Sequence, residues 1–142
     1  MRIVVAGAVL AWLAVLSLCD LRQRRLPNAL TLPGAGAIML GAAVGGHGVS
    51  ALGGGAALSA VYLLVHVLWP TAMGAGDVKL AIGLGALTGC FGVEVWLLAA
   101  LSAALLTAMC GIVAKVARGT STVPHGPSMC VASAAAVGLV LI

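Results

Sequence analysis

The sequence predicts an all-α, polytopic membrane protein with about six transmembrane helices, and three observations carry that prediction. Of its 142 residues 63% are apolar and 7% charged, with a mean hydropathy of +1.23, whereas a soluble domain is about a quarter charged. Seven Lys or Arg and three Asp or Glu are too few to hydrate a globular surface. The apolar residues gather into six runs split by short polar, Gly or Pro stretches, and a span takes about 20 residues. At that length the chain is expected to form one membrane domain, residues 1–142, with no room for a separate soluble domain.

The first run, Ile3 to Cys19, follows a single Arg2. It has the outline of a secretory signal, and Leu16-Ser17-Leu18-Cys19 approaches a lipoprotein cleavage box. Leu18 is too bulky for that box and five more apolar runs follow, so the segment reads as a span. The cluster Asp20-Leu21-Arg22-Gln23-Arg24-Arg25 closes it, and Leu26-Pro27-Asn28 starts afresh. A second run extends from about Ala29 to Gly45, and Gly45-Gly46-His47-Gly48 turns into a third, Val49 to Trp69, ended by Pro70. After the small, polar stretch Thr71 to Asp77, Val78 to Val93 forms a fourth run of about 16 residues, short for a full span. The fifth covers about Val95 to Val116, a polar loop holds Arg118 to Gly126, and Pro127 to Ile142 makes a sixth, also short.

With six spans, the segments 20–28, 70–79 and 115–127 fall on one side of the membrane and carry Arg22, Arg24, Arg25, Lys79, Lys115 and Arg118, while the other side carries Arg2. The positive-inside rule makes the basic side cytoplasmic. The net charge of +4 is thus a topology signal, and no nucleic-acid partner is expected. Cys19, Cys90, Cys110 and Cys130 lie far apart, with no Cys-x-x-Cys pair and no His at ligand spacing, so neither a metal site nor a disulfide framework is expected. Gly41 with Gly45, and Gly85 with Gly89, have the four-residue spacing that permits close helix crossings.

The two aspartates of the chain both fall at the basic ends of spans. Read alone, Asp20 is either an interfacial anchor paired with Arg24 or a functional group, and the helix dipole gives no reason for a carboxylate at the end of the first span. Asp77 reads equally as the cap preceding the fourth run. Its setting, Gly74-Ala75-Gly76-Asp77, adds two glycines that free the backbone and admit another chain, which a helix start does not need. Two carboxylates a few ångströms apart cannot both ionise, so such a pair holds one proton between them. The ionised partner takes a proton from a water attacking a peptide carbonyl, and the protonated partner donates to the oxyanion. Such chemistry needs no cofactor.

Three stretches resemble landmarks of the type IV prepilin peptidases: Asp20-Leu21-Arg22-x-Arg24-x-Leu26-Pro27-Asn28, Gly74-x-Gly76-Asp77-Val78-Lys79-Leu80 and Pro124-x-Gly126-Pro127. Their order, spacing and membrane context are similar to the short enzymes of tight-adherence (Flp) pilus systems, and the resemblance covers about residues 3–140. It implies an intramembrane-type aspartic endopeptidase of the bacterial inner membrane, with Asp20 and Asp77 as the catalytic pair and Pro27, Asn28, Gly74, Gly76 and Lys79 in supporting loops. The implied substrates are prepilin or pseudopilin precursors, cut at the cytoplasmic face just before the pilin's apolar helix, typically after a glycine. Long members of that family carry a cytoplasmic segment with paired Cys-x-x-Cys motifs and also methylate the product; lacking it, this chain is expected to be a peptidase without methyltransferase activity. No oligomeric state follows from the sequence.

The remaining polar residues carry weaker expectations. Lys79 either orients the loop or snorkels to headgroups. Arg22, Arg24 and Arg25 serve topology first and anionic lipid second. Asn28 either caps the second helix or hydrogen-bonds at the rim of the site. His125, where the family often has an aromatic residue, reads as a loop histidine near the interface, with modulation of the pair's protonation as the alternative. His66 reads as a packing group, and His47 and Glu94 lie on the opposite side. The rival class is a non-enzymatic, glycine-rich subunit for proton relay or pilus assembly. A relay needs an acid in mid-span, and both aspartates lie at span ends. A member that binds pilins without cutting them is a third possibility, disfavoured because both aspartates and both glycines are in place.

Overall fold

The computed structural model describes residues 1–120 and 122–142. Among them the chain forms six helices and no strand: α1 (Arg2–Gln23), α2 (Asn28–Val44), α3 (Gly48–Leu68), α4 (Ala75–Gly89), α5 (Val93–Arg118) and α6 (Gly126–Leu141). The protein is all-α, with one helix for each apolar run. Three of them, α1, α3 and α5, are long and apolar enough to cross a membrane. α2 and α6 are shorter apolar helices, and the 15 residues of α4 reach only about 22 Å at a rise of about 1.5 Å each.

Two helix ends differ from expectation in ways that matter for the site. α1 runs past Asp20 to Gln23, because Leu21, Arg22 and Gln23 are good helix formers. It stops at Arg24, a left-handed residue (φ 49°) whose N–H returns to the Asp20 carbonyl at 2.9 Å. α4 starts at Ala75 with Gly74 as its N-cap, so Asp77 is not the cap but lies inside the first turn.

The short α4 is the centre of the bundle. It packs against α2, α3, α5 and α6, while α1 lies against α6 and α2. Its buried residues, Leu80, Ala81, Gly83, Leu84, Gly85, Ala86, Thr88 and Gly89, occupy nearly its whole circumference. A helix screened by protein need not match the bilayer, which reconciles its length with its position. The outer helices show the reverse pattern: Leu10, Val61, Leu101, Leu105 and Ile112 are exposed, as helices facing lipid require. Hydroxyls within the bundle return to their own helix, Ser59 to the Gly55 carbonyl (2.7 Å) and Thr88 to that of Leu84 (2.8 Å), which satisfies them without water.

α3 and α4 approach backbone to backbone. A Cβ on Gly54 would collide with the Gly85 carbonyl, and one on Gly85 with the Gly54 carbonyl. Gly89 has the same constraint, since its Cβ would meet the Ser50 carbonyl at 2.7 Å. The Gly85/Gly89 expectation therefore holds, with Gly54 as the partner. The Gly41/Gly45 expectation does not: Gly41 has open space, and Gly45 is the C-cap of α2. Two tryptophans brace α4 and its neighbours, Trp96 at the α3–α4 contact and Trp12 where α1, α2 and α4 meet. Trp96 of α5 donates its Nε1–H to the Gly54 carbonyl (3.0 Å). Trp12 of α1 donates to the Leu30 carbonyl of α2 (2.8 Å) and lays its ring over Gly34 and Gly83.

Gly54→Ala should therefore push α3 from α4 and destabilise the fold by about 1–3 kcal/mol or more, whereas neighbouring Gly53, with open space at its Cβ position, should tolerate alanine without loss. Thermal unfolding of the two variants in detergent tests the contrast; equal melting temperatures would contradict a backbone contact.

Candidate active site

The ends of the helices bring three distant segments to one end of the bundle. After the left-handed Arg24 the chain turns so that Leu26 is buried against the start of α4, where a Cβ on Gly76 would lie 3.3 Å from the Leu26 Cβ. The glycine allows this close approach, and the approaching chain is the protein's own α1–α2 segment. Neither motif glycine adopts the positive φ that the sequence reading allowed for; positive φ among the glycines belongs to Gly46, Gly92 and Gly119. Gly74 is extended (φ −77°, ψ 154°), and a Cβ on it would sit 3.8 Å from Asp77 Oδ2, so the carboxylate folds back over its own N-cap.

Between these segments lies a cavity of about 290 Å³ lined by Asp20, Arg24, Arg25, Leu26, Gly74, Ala75, Gly76, Asp77 and Lys79. Its rim residues Arg24, Arg25, Gly74 and Ala75 are exposed, so water has access. Asp20 is 7% exposed and Asp77 half-buried. The two carboxylates come from different helices, share this cavity and lie within reach of each other's charge. The cationic Arg24, Arg25 and Lys79 line the same cavity, and a nearby cation favours the ionised form of a carboxylate.

Of the residues singled out in the sequence, Asp20, Asp77, Gly74, Gly76 and Lys79 line the cavity, and Pro27 and Asn28 are outside its lining. Pro27 is the N-cap of α2. Asn28 makes no capping bond; its Oδ1 accepts from Lys79 Nζ at 2.8 Å. That bond ties the start of α2 to the first turns of α4. His66 shares a 2.6 Å hydrogen bond with the Met73 carbonyl and braces the α3–α4 connection.

Asp20 is held from the other side. The backbone N–H of Gly126 donates to its Oδ2 at 3.0 Å, a buried bond across 106 positions of sequence. A Cβ on Gly126 would overlap that carboxylate. The third landmark thus supplies the donor for Asp20, a role the sequence reading did not assign. The signal was present in Pro124-His125-Gly126-Pro127, where a glycine between two prolines marks a fixed turn with a close neighbour.

His125 lies in the loop as expected, as the N-cap of α6, but its ring packs into the bundle. It is half-buried, its Nε2 lies 2.9 Å from the hydroxyl of Tyr62, and its Nδ1 contacts the hydroxyl of Thr107. The Tyr62 and His125 rings pack at 5.4 Å between centroids. Neither Tyr62 nor Thr107 was singled out in the sequence, although a lone tyrosine in an apolar run is a cue, because a buried phenol requires a partner.

The sequence profile of the type IV leader peptidase family matches residues 7–113. The chain belongs to that family. No curated protein and no solved structure matches it. The family match includes Asp20 and Asp77 and ends before the Gly126 turn, so the tie between that turn and Asp20 comes from the fold of this leader-peptidase family member.

Burial lowers the pKa of His125 from 6.5 to about 4, so the folded protein holds it neutral while the unfolded chain protonates near 6.5. The unfolded state then binds the extra proton between those values, and the histidine's contribution to stability, full above pH 6.5, is lost as the pH falls toward 4. The slope approaches about 1.4 kcal/mol per pH unit. Melting curves at pH 7 and pH 5 should show a larger acid loss for wild type than for His125→Gln, which cannot titrate; parallel losses would place the acid sensitivity elsewhere.

Proposed function

We propose that this chain is a membrane aspartic endopeptidase that removes the basic leader peptide from type IV prepilins of the Flp type, using Asp20 and Asp77 to activate a water. The observation that supports it most directly is the convergence of both aspartates on one water-accessible cavity at the basic end of the bundle. Under the positive-inside rule that end faces the cytoplasm, where a prepilin leader emerges from its apolar helix.

In the resting pair one carboxylate is ionised and the other protonated, since two adjacent charges repel. The Gly126 N–H favours the ionised form of Asp20, which fits Asp20 as the base that takes a proton from the attacking water. Asp77, in the first turn of α4, then protonates the carbonyl oxygen as the tetrahedral intermediate forms. Collapse returns a proton to the departing amine and leaves the pair ready for another turnover. The cavity is lined on the α4 side by the small residues Gly74, Ala75 and Gly76, which leaves an extended peptide room beside Asp77. The pilin's apolar helix has lipid and the exposed aliphatic faces of the bundle beside it.

Co-expression with a prepilin from the same genome tests the reading by gel shift and product mass. Wild type should trim the leader, and Asp20→Asn and Asp77→Asn should each abolish trimming while still inserting in the membrane. Continued cutting by both variants would end the paired-aspartate mechanism, and a wild type that cuts no prepilin would count against the substrate assignment. The rate should show a bell-shaped pH dependence, and a flat profile through acid and neutral pH would exclude a singly protonated pair. Gly126→Ala, which forces Asp20 aside, should lower kcat by about a hundredfold, measured on the same prepilin.

A further inference from the structure

We propose that His125 is a positioning residue for Asp20: bridging Tyr62 of α3 and Thr107 of α5, it holds the Pro124–Pro127 turn where the Gly126 N–H meets the carboxylate. The proposal rests on the peptidase reading for its consequence in catalysis, and on geometry alone for the positioning.

The proton inventory assigns the direction of each bond. We assign the single proton of the Thr107 hydroxyl to the Ala103 carbonyl one turn back on α5, 3.0 Å away. Toward His125 it is therefore an acceptor, which requires the proton on Nδ1. Nε2 then carries a lone pair and accepts the Tyr62 O–H at 2.9 Å. One neutral tautomer satisfies all partners at once, and the imidazole is fixed at both ends.

Fixing the ring fixes the donor. Among the described residues, the tertiary hydrogen bonds of the segment 119–127 are the two at the His125 ring and the one from Gly126 to Asp20. The Gly126 N–H and the His125 carbonyl belong to one planar peptide unit. That carbonyl accepts the Met129 N–H at 3.1 Å in the first turn of α6. With the side chain anchored to α3 and α5 and the carbonyl to α6, the N–H has one direction left, toward Asp20. The flanking Pro124 and Pro127 remove further freedom. A phenylalanine would fill comparable space but make neither ring bond.

The titratable and charged groups around this bridge and Asp20 are Tyr62 of α3, the Cys130 thiol of α6, Arg24 at the end of α1, and Asp77. The Tyr62 proton is committed to His125, so the tyrosine offers Asp77 no donor and does not replace either carboxylate as an acid. Its part in the arrangement is mechanical.

The test uses full-length protein in detergent, wild type against His125→Phe, His125→Gln, Tyr62→Phe and the Tyr62→Phe/His125→Phe pair, with two readouts. Amide exchange at Gly126, followed by mass spectrometry on overlapping peptides, should speed up about tenfold in His125→Phe and less in Tyr62→Phe, with His125→Gln partly restoring protection. On the prepilin, His125→Phe should lower kcat about tenfold with KM within about twofold of wild type. The acid limb of its pH profile should move to higher pH, because Asp20 loses a donor that favours its charged form. The double variant should be no worse than His125→Phe, as expected when both act through one contact. Unchanged Gly126 exchange in both His125→Phe and Tyr62→Phe would overturn the proposal, as would a fall in kcat with an unmoved pH profile, which marks a merely structural loss. A wild type that leaves the prepilin uncut would count against the substrate assignment, and the exchange data would still decide the positioning.

Discussion

The backbones of α3 and α4 meet at Gly54 and Gly85 with no side chain between them, and the rest of the bundle is built around that contact. Lipid tails are as apolar as leucine, so helices in a bilayer gain little from hiding aliphatic surface and associate where their backbones fit closely. Gly54, Gly85 and Gly89 supply that fit. Once α3 and α4 are joined, α4 is too short and too rich in small residues to face lipid, and α2, α5 and α6 cover its remaining sides. Trp12 and Trp96 fill the grooves left by small residues and give their indole N–H groups to backbone carbonyls. Large rings and absent side chains are thus complementary parts of one packing solution.

A central, short α4 also determines where chemistry is possible. Its first turn and the last turns of α1 line one water-accessible cavity, which Asp77 and Asp20 share. The helix ends give the two carboxylates both access to water and a packed framework. Toward the rim stand Arg24, Arg25 and Lys79; behind Asp20 stands the Gly126 amide. α1 and α4 are not backbone neighbours, so the relation between the aspartates is carried by the segments around them: Leu26 against Gly76, Lys79 on Asn28, and the Gly126 turn on Asp20. Membership of the type IV leader peptidase family is consistent with this arrangement.

Polar groups in the bundle follow one rule, that each donor and acceptor finds a partner within the protein. Helical hydroxyls bond the carbonyl one turn back, and among the described residues no buried side-chain polar atom is left without a partner. His125 obeys the same rule with a different effect. Its partners lie on two other helices, so satisfying it fastens a turn that sequence composition alone marks as a loop.

By itself the sequence determined the helical class, the order of the six helices, the concentration of positive charge at one end and the two aspartates worth considering. These are local or compositional properties: apolar runs, breakers between them, and the rarity of acids in lipid-facing segments. The fourth and sixth runs were recognised as short, but that the fourth occupies the centre followed only from its packing. Gly85 and Gly89 were legible as crossing residues, whereas Gly54 was not distinguishable from Gly53 and Gly55, and Gly41 with Gly45 carried the same spacing without a crossing. The position of Asp77 within its helix, the burial of His125, the participation of Tyr62 and Thr107 and the bond from Gly126 to Asp20 were decided by the tertiary structure. Each depends on which faces of distant helices meet, and spacing along one helix does not encode the partner; the Asp20–Gly126 bond joins residues 106 positions apart.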